Sequence, residues 1–176
     1  MVSLFRIPRN SILLHTLSSR LVFFGLALVA LLAMLFAAYL EHIVGLNPCP
    51  LCMTQRVFVV TGGVIALLAA LHNPRAWGRR VYGALCVAVA AGGGAVAARH
   101  VWLQHLPPEQ VPACGPSLEY MLETLPFRDT LSMVLMGDGN CAETHWTLLG
   151  FSIPEQTLLL FIAIFLAALW QTLRRQ

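Results

Sequence analysis

Charged residues are scarce in this chain. They make up 11% of its 176 residues, whereas 58% are hydrophobic and the mean hydropathy is +0.74. Leu21 to Leu40 contains no charge at all. Because a soluble domain carries about 25% charged residues, this composition excludes that class and indicates an integral membrane protein.

The chain also lacks internal repeats and long runs of like charge, so nothing in it indicates a partner nucleic acid despite the net charge of +3. Its glycine clusters, Gly62 with Gly63 and Gly92 to Gly94, lie within hydrophobic runs. Small residues in such runs permit close packing of helices. We therefore interpret these glycines as packing sites and not as a phosphate-binding loop.

Four hydrophobic runs are long enough to cross a bilayer, because twenty helical residues extend about 30 Å. They predict a single all-α membrane domain over residues 1–176, a four-transmembrane-helix bundle with two external loops. The predicted helices are about 21–40, 53–71, 81–98 and 158–173, and the loops are about 41–52 and 99–157.

The first run follows Arg6, Arg9 and Arg20, as the apolar part of a cleaved signal peptide would. It is longer than the usual 7–15 residues or so, and it leads into "YLEHIVGLNPCP" without a small-residue cleavage site. We expect it to be a retained anchor.

Arginine placement predicts the orientation, because cytoplasmic loops carry an excess of positive residues. The predicted external side of the membrane holds all eight acidic residues but only three arginines: Arg56, Arg99 and Arg128. Both termini are therefore predicted to be cytoplasmic, which makes the two loops periplasmic in a bacterium. The arginines assigned to the cytoplasm are Arg6, Arg9, Arg20, Arg75, Arg79, Arg80, Arg174 and Arg175.

This topology separates the cysteines. Cys49 and Cys52 lie in the first external loop, and Cys114 and Cys141 lie in the second. Cys86 falls within the third span, where an inert core residue is expected. Disulfides form and persist in the periplasm, so the four external cysteines are predicted to be redox partners.

Two structural alternatives remain for these cysteines. "CPLC" could be half of a zinc site, but such sites usually need a second close ligand pair, and the nearest external imidazoles are His105 and His145. A bond between Cys114 and Cys141 could simply close the second loop. We expect no metal, because the spacing fits zinc poorly and a small Cys-x-x-Cys ring suits redox cycling better than stabilisation.

Proline at positions 48 and 50 is compatible with a helix start, so the motif is predicted to open the second span, with its positive dipole end near Cys52. Arg56 follows Cys52 by four residues, on the same helical face. It can stabilise a Cys52 thiolate, or it is an interfacial arginine that extends toward water.

His100 ends the third span at the same membrane level as the start of the second span. There it could meet Arg56 or interact with the helix dipole. A site lined by Cys52, Arg56 and His100 would suit an amphipathic ligand with a polar, reducible head. In the second loop, "SLEYMLETL" and "TLSMVLM" are predicted to form short amphipathic pieces, and "VPACGPS" and "GDGNCAE" to expose their cysteines.

The chain resembles the bacterial disulfide bond formation protein B family (DsbB). The resemblance covers nearly the whole chain and rests on four spans, two external loops and "NPCPLCMTQR", a Cys-x-x-Cys followed by arginine four residues later. In the second loop it is weaker outside "NCAETHW" and the first cysteine.

This resemblance implies a protein-dithiol:quinone oxidoreductase of the bacterial inner membrane. The Cys114–Cys141 pair would accept electrons from a periplasmic DsbA-like thiol oxidase, which attacks Cys114. The Cys49–Cys52 pair would pass them to ubiquinone or menaquinone from the membrane pool, with Cys52 next to the quinone. By the same resemblance, Arg56 and His100 are expected to bind the quinone.

Two other functions are compatible with the sequence. A vitamin K epoxide reductase-like protein also combines thiols, quinone and a helical bundle, although its usual active pair lies near the end of a later span. A metal-binding or structural four-helix membrane protein would use the cysteines only as ligands or as disulfide cross-links.

Overall fold

The computed structural model describes residues 18–115, 118–143, 146–148 and 150–174. Four helices in this part of the chain are long and apolar enough to cross a membrane, which confirms the predicted all-α four-span fold. The orientation of the termini stays a prediction, and Arg6, Arg9, Arg175 and His145 lie outside the described residues. The four helices are α1 (Ser19–His42), α2 (Pro50–His72), α3 (Ala76–Gln104) and α7 (Ile153–Leu173).

The long helices extend beyond the apolar runs because polar groups cap their ends. The Ser18 hydroxyl accepts a hydrogen bond from the backbone N–H of Leu21 at 3.3 Å, at the start of α1. At the start of α7, the Glu155 carboxylate accepts from the backbone N–H of Ser152 at 2.6 Å. Such contacts satisfy backbone groups that a helix end leaves without intrahelical partners. Asn73, in the left-handed conformation at φ 46°, ends α2 and allows the sharp turn into α3.

Small residues set the packing of the bundle, in which α1 packs on α2, α2 on α3, and α3 on α7. Gly63 lies so close to Ala30 that an added Cβ would be 2.8 Å from the Ala30 Cβ, and a Cβ at Gly93 would overlap the Phe161 ring. Cys86 is buried among alanines and Phe23. Many leucines on the outer faces are exposed, as expected of helices surrounded by lipid.

The segment between α3 and α7 folds into short elements. Residues Leu118–Thr124 and Phe127–Met136 form α4 and α5, which coincide with the predicted amphipathic pieces. The Thr130 hydroxyl of α5 donates to the carbonyl of Met121 in α4 at 3.1 Å. The remaining elements are a 3-10 turn (Pro108–Gln110), α6 (Gly139–Ala142) and the antiparallel pair β1 (Thr147–Leu148) and β2 (Phe151–Ser152).

The segment containing α6 docks on the ends of α2 and α3. Cys141 of α6 is fully buried in a cluster with Leu51, Val96 and Leu103. Gln104 is the last residue of α3, and its side-chain oxygen accepts a hydrogen bond from the Ser152 hydroxyl at 2.8 Å. This bond connects the end of α3 to the start of α7. These contacts hold the second loop against the end of the bundle that carries Cys49.

Candidate functional site

Cys49 is the N-cap of α2, and Pro50 is the first residue of the helix. The Cys49 Sγ accepts a hydrogen bond from the backbone N–H of Cys52 at 3.4 Å. The motif therefore opens the second span, but the cap hydrogen bond goes to the sulfur of Cys49 and not of Cys52. The N-terminal end of a helix favours negative charge, and both sulfurs of the motif belong to residues at this end of α2.

His100 lies one turn inside the end of α3 and is 2% exposed. Its Nε2 is 3.7 Å from the Cys49 Sγ, and its Nδ1 is 3.1 Å from the side-chain amide of Gln55, which is itself buried. The side chains it bonds are thus Cys49 and Gln55, whereas the sequence suggested Arg56. Gln55 went unnoticed in the sequence, although its position three residues after Cys52 puts it on the helical face of the cysteine.

Arg56 is ion-paired with Glu41 of α1, and its Nη2 donates to the carbonyl of Ala37 at 3.4 Å. Both charged side chains are about one-quarter exposed, at 23% for Arg56 and 28% for Glu41. Glu41 was not among the site residues predicted from the sequence. Its signal was its isolation, since it is the only acidic residue between Arg20 and Arg56.

A cavity of about 130 Å³ lies between the four long helices at this end of the bundle. Its wall is mostly apolar where α1 faces α7, with Met34, Ala37 and Leu160 among the lining residues. Where α2 faces α3 the wall carries polar and sulfur groups. The polar and sulfur-bearing lining includes Glu41, Cys49, Cys52, Gln55, Arg56 and His100.

The two loop cysteines differ in exposure. Cys141 is fully buried in the cluster against which Cys49 packs. The neighbouring Cys49 thiol and, secondarily, burial hold the pKa of the Cys141 thiol well above its usual value. The Asp138 carboxylate caps α6 by accepting from the backbone N–H of Cys141 at 3.2 Å.

Cys114, in contrast, is exposed. Its sulfur lies against Gly139 of α6, so close that an added Cβ there would be 3.0 Å from the Cys114 Sγ. The backbone N–H of Gly139 donates to the carbonyl of Ala113 at 3.3 Å, which fixes the Cys114 segment to α6. All five cysteines are free thiols. Apart from Cys86, these thiols lead from the exposed Cys114, past the buried Cys141, to the Cys49 and Cys52 pair beside the cavity.

One potential metal-ligand set is present among the described residues. The sulfurs of Cys49 and Cys52 and a ring nitrogen of His100 all lie within 4.8 Å of one another. From the sequence, His105 and His145 were the nearest external imidazoles to the cysteines. His105 instead bonds the carbonyl of Val101 at 2.8 Å through its Nδ1.

Comparison with known sequences gives a consistent result. The family model described as "Disulfide bond formation protein DsbB" matches residues 19–171. Disulfide bond formation protein B of Stutzerimonas stutzeri is 49% identical over 155 residues, which are 88% of this chain and 93% of the relative. The protein of the same name from Saccharophagus degradans is 50% identical over 141 residues, 80% of this chain and 85% of the relative. Disulfide bond formation protein B 1 of Pseudomonas aeruginosa is 48% identical over 153 residues, which are 86% of this chain and 94% of the relative.

Proposed function

Because this chain belongs to the DsbB family of disulfide bond formation proteins, we propose that it reoxidises a periplasmic DsbA-like thiol oxidase and transfers the electrons to a membrane quinone. It is then a protein-dithiol:quinone oxidoreductase of the bacterial inner membrane. The external end of the bundle, with its cysteines, faces the periplasm. Membership of this family, and a cysteine pair at the start of the second span, leave no support for the vitamin K epoxide reductase-like alternative.

The observation that carries this proposal is the contact between Cys141 and Cys49. It joins a cysteine of the second loop to a cysteine of the membrane pair. Thiol–disulfide exchange needs direct attack of one sulfur on another, so a contact between the two pairs is what a relay requires. A merely structural role for either pair would need no such contact.

Exchange begins at Cys114 because its sulfur is the exposed one of the loop pair. A thiolate of the DsbA-like partner attacks the Cys114 Sγ of a Cys114–Cys141 disulfide, and Cys141 leaves. The second thiol of the partner then attacks the partner's first sulfur in the mixed disulfide. The partner leaves with its disulfide formed, and Cys114 leaves as a thiolate. Two electrons now reside on the loop pair.

Cys141 passes these electrons inward. Its sulfur attacks the Cys49 Sγ of a Cys49–Cys52 disulfide, which forms a Cys49–Cys141 bond and releases Cys52. Attack by Cys114 on Cys141 restores the loop disulfide and leaves Cys49 reduced. His100, whose Nε2 contacts the Cys49 Sγ, can donate a proton to the departing Cys49 thiolate and take it back later.

The residues around the cavity fit a quinone. An apolar wall meets a polar end that contains the Arg56 guanidinium, a hydrogen-bond donor suited to a quinone carbonyl oxygen. Arg56 would hold the polar ring at this end and Cys52 would face it, while His100, whose ring nitrogens contact Cys49 and Gln55, would line the site beside them. When bound, a quinone supplies an acceptor for two electrons and two protons. Ubiquinone and menaquinone both offer this chemistry.

The test follows quinone absorbance while reduced DsbA-like protein is mixed with the purified chain in detergent. We expect steady quinone reduction by the wild type and none by Cys52→Ser or Cys114→Ser. Cys86→Ala is the matched control, because it removes a buried cysteine that is remote from the cavity, and it should stay active. Quinone that stays oxidised with the wild type, or undiminished reduction by Cys52→Ser, contradicts the proposal.

Single-turnover measurements separate the two halves of the relay. Pre-reduced Cys114→Ser, mixed with quinone alone, should still oxidise its Cys49–Cys52 pair, because only the entry point is missing. Pre-reduced Cys52→Ser should not reduce quinone. If neither variant reduces quinone, Cys114 has a role in the membrane half that the relay does not assign to it.

A further inference from the structure

We propose that reduced Cys49 and Cys52, together with His100, form a binding site for one thiophilic divalent cation, of which Zn²⁺ is the common biological example. Such binding would suspend electron transfer, because it occupies the two sulfurs that must form a disulfide. Metal binding is a reaction separate from electron transfer, and it requires neither a quinone nor a protein partner.

The distances between the three ligand atoms are close to those of a tetrahedral metal site. Zinc binds sulfur at about 2.3 Å and imidazole nitrogen at about 2.0 Å, so two ligand atoms on one ion lie roughly 3.5–4 Å apart. The Cys49 Sγ and His100 Nε2 are 3.7 Å apart, and the Cys52 Sγ lies within 4.8 Å of both. The two separations that involve the Cys52 Sγ, each no more than 4.8 Å, must shorten by about 1 Å at most to reach this range.

Gln55 supplies the outer-sphere partner that metal-bound histidines need. A zinc-bound imidazole normally donates its other N–H to an acceptor, which fixes the ring and its tautomer. The Gln55 side-chain amide is 3.1 Å from the Nδ1 of His100. Rotation of this amide by half a turn presents its oxygen to an Nδ1–H, because an amide offers both a donor and an acceptor.

The charge of the site is also appropriate. Binding exchanges the two thiol protons of Cys49 and Cys52 for one doubly positive ion, so the net charge does not change and two protons are released. Cys141 contacts Cys49 but does not belong to the set of three ligands within 4.8 Å. The fourth coordination position therefore falls to a water molecule in the adjoining cavity.

Metal binding and oxidation exclude each other. A Cys49–Cys52 disulfide has no thiolate to offer, so the oxidised protein has no site. Conversely, a metal-bound Cys52 thiolate cannot form a disulfide until the ion leaves. Free zinc should therefore inhibit the protein only when the membrane pair is reduced, which makes the inhibition greatest when reduced partner is abundant and quinone is scarce.

Cobalt titration tests the proposal without any measurement of activity. Co²⁺ in a tetrahedral site with thiolates gives intense visible bands and a sulfur-to-metal charge-transfer band. We expect the reduced wild type to take up one equivalent, which Zn²⁺ then displaces. His100→Ala should weaken binding more than about tenfold, the lower limit of what even an outer-sphere partner contributes. Cys114→Ser, which removes an exposed thiol outside the set, should bind as the wild type does.

Two measurements on the wild type avoid variants that fail to fold. The disulfide form should show no cobalt bands, and one equivalent of Zn²⁺ should protect Cys49 and Cys52, but not Cys114, from alkylation in the reduced form. No uptake by the reduced protein, equal uptake by the oxidised protein, or binding lost in Cys114→Ser and retained in His100→Ala would each overturn the assignment.

Discussion

Glu41 and Arg56 form an ion pair across the α1–α2 interface, within the cavity that also contains Cys52. The pair joins the first span to the second, one helical turn below the cysteine motif. Arg56 therefore does not enter the cavity as an isolated cation. A carboxylate fixes its direction and offsets its charge.

This pairing predicts that Glu41→Gln impairs quinone binding. Without the carboxylate, the guanidinium keeps only weaker contacts, such as the one to the Ala37 carbonyl. Hydrogen bonds to charged groups contribute about 1.5–3 kcal/mol, so the KM for quinone should rise about tenfold, equivalent to about 1.4 kcal/mol, with a smaller change in kcat. Steady-state kinetics with varied quinone measure both.

Glu109→Gln is the matched control for Glu41→Gln, because it removes an exposed carboxylate in the 3-10 turn, away from the cavity. It should leave both constants unchanged. A Glu41→Gln protein with the wild-type KM would mean that Arg56 is oriented without the ion pair.

The raised pKa of Cys141 predicts a difference in alkylation between the two loop thiols. An ordinary thiol has a pKa of about 8.5 and is partly ionised at about pH 8, whereas a thiol with a raised pKa stays protonated there and reacts slowly. Reduced protein should be alkylated rapidly at Cys114, because that side chain is exposed, and at Cys141 only at much higher pH. Mass spectrometry of the two peptides across a pH series provides the measurement.

Burial alone could also slow the alkylation of Cys141, so a second variant is needed. Cys49→Ala removes the neighbouring thiol that is the main cause of the raised pKa of Cys141. Its Cys141 should react at lower pH than in the wild type. If the pH profile of Cys141 is the same in both proteins, the Cys49 contact does not control its ionisation.

Gly139→Ala is predicted to disturb the entry point of the relay. The new Cβ would lie 2.8 Å from the carbonyl oxygen of Pro112 and 3.2 Å from the backbone nitrogen of Cys114, and backbone atoms cannot rotate away. The segment around Cys114 must therefore shift from α6. The rate with a DsbA-like partner should fall, while a pre-reduced protein still reduces quinone at the wild-type rate.

Gly25→Ala serves as the control for Gly139→Ala, because a Cβ at Gly25 meets nothing within 4 Å. It should leave the rate with the partner unchanged. An unimpaired Gly139→Ala protein would show that the Cys114 segment can separate from α6 without cost to the reaction.

Two adjacent glycines in α3 offer a test of packing. Gly93→Ala would push a methyl group into the Phe161 ring, whereas a Cβ at Gly94 would lie 3.7 Å from the Phe161 Cβ, an ordinary contact. Overpacking typically costs about 1–3 kcal/mol, so Gly93→Ala should lower the melting temperature in detergent. Gly94→Ala should equal or exceed the wild type, because alanine favours helix by up to about 1 kcal/mol. Equal melting temperatures for the two variants would contradict this packing.

The spans could be predicted from the sequence because a long, uninterrupted apolar run is stable in lipid as a helix, which satisfies its own backbone hydrogen bonds. The residues at which the helices end could not be predicted, because each end depends on a local polar contact, such as that between Glu155 and the Ser152 backbone. His100 illustrates the consequence. It was expected at the end of a span, and the structure gives α3 another turn beyond it.

The chemistry of the site was only partly predictable. The Cys-x-x-Cys motif and Arg56 are local features, and a spacing of four residues fixes their common face. The contact between Cys141 and Cys49 depends on how the second loop packs against Leu51 and Leu103, which no local pattern encodes. Glu41 was overlooked for the same reason, since its significance comes from a partner on another helix.

The N-cap of α2 has a consequence for the motion of the protein during turnover. Most helices begin with an oxygen acceptor from serine, threonine, aspartate or asparagine, whereas this helix begins with the sulfur of Cys49. A sulfur that alternates between thiolate and disulfide is alternately a stronger and a weaker acceptor for the N–H of Cys52. The first turn of α2 should therefore tighten and loosen once in each redox cycle. The rate of backbone amide hydrogen exchange at this turn should then depend on the redox state of Cys49.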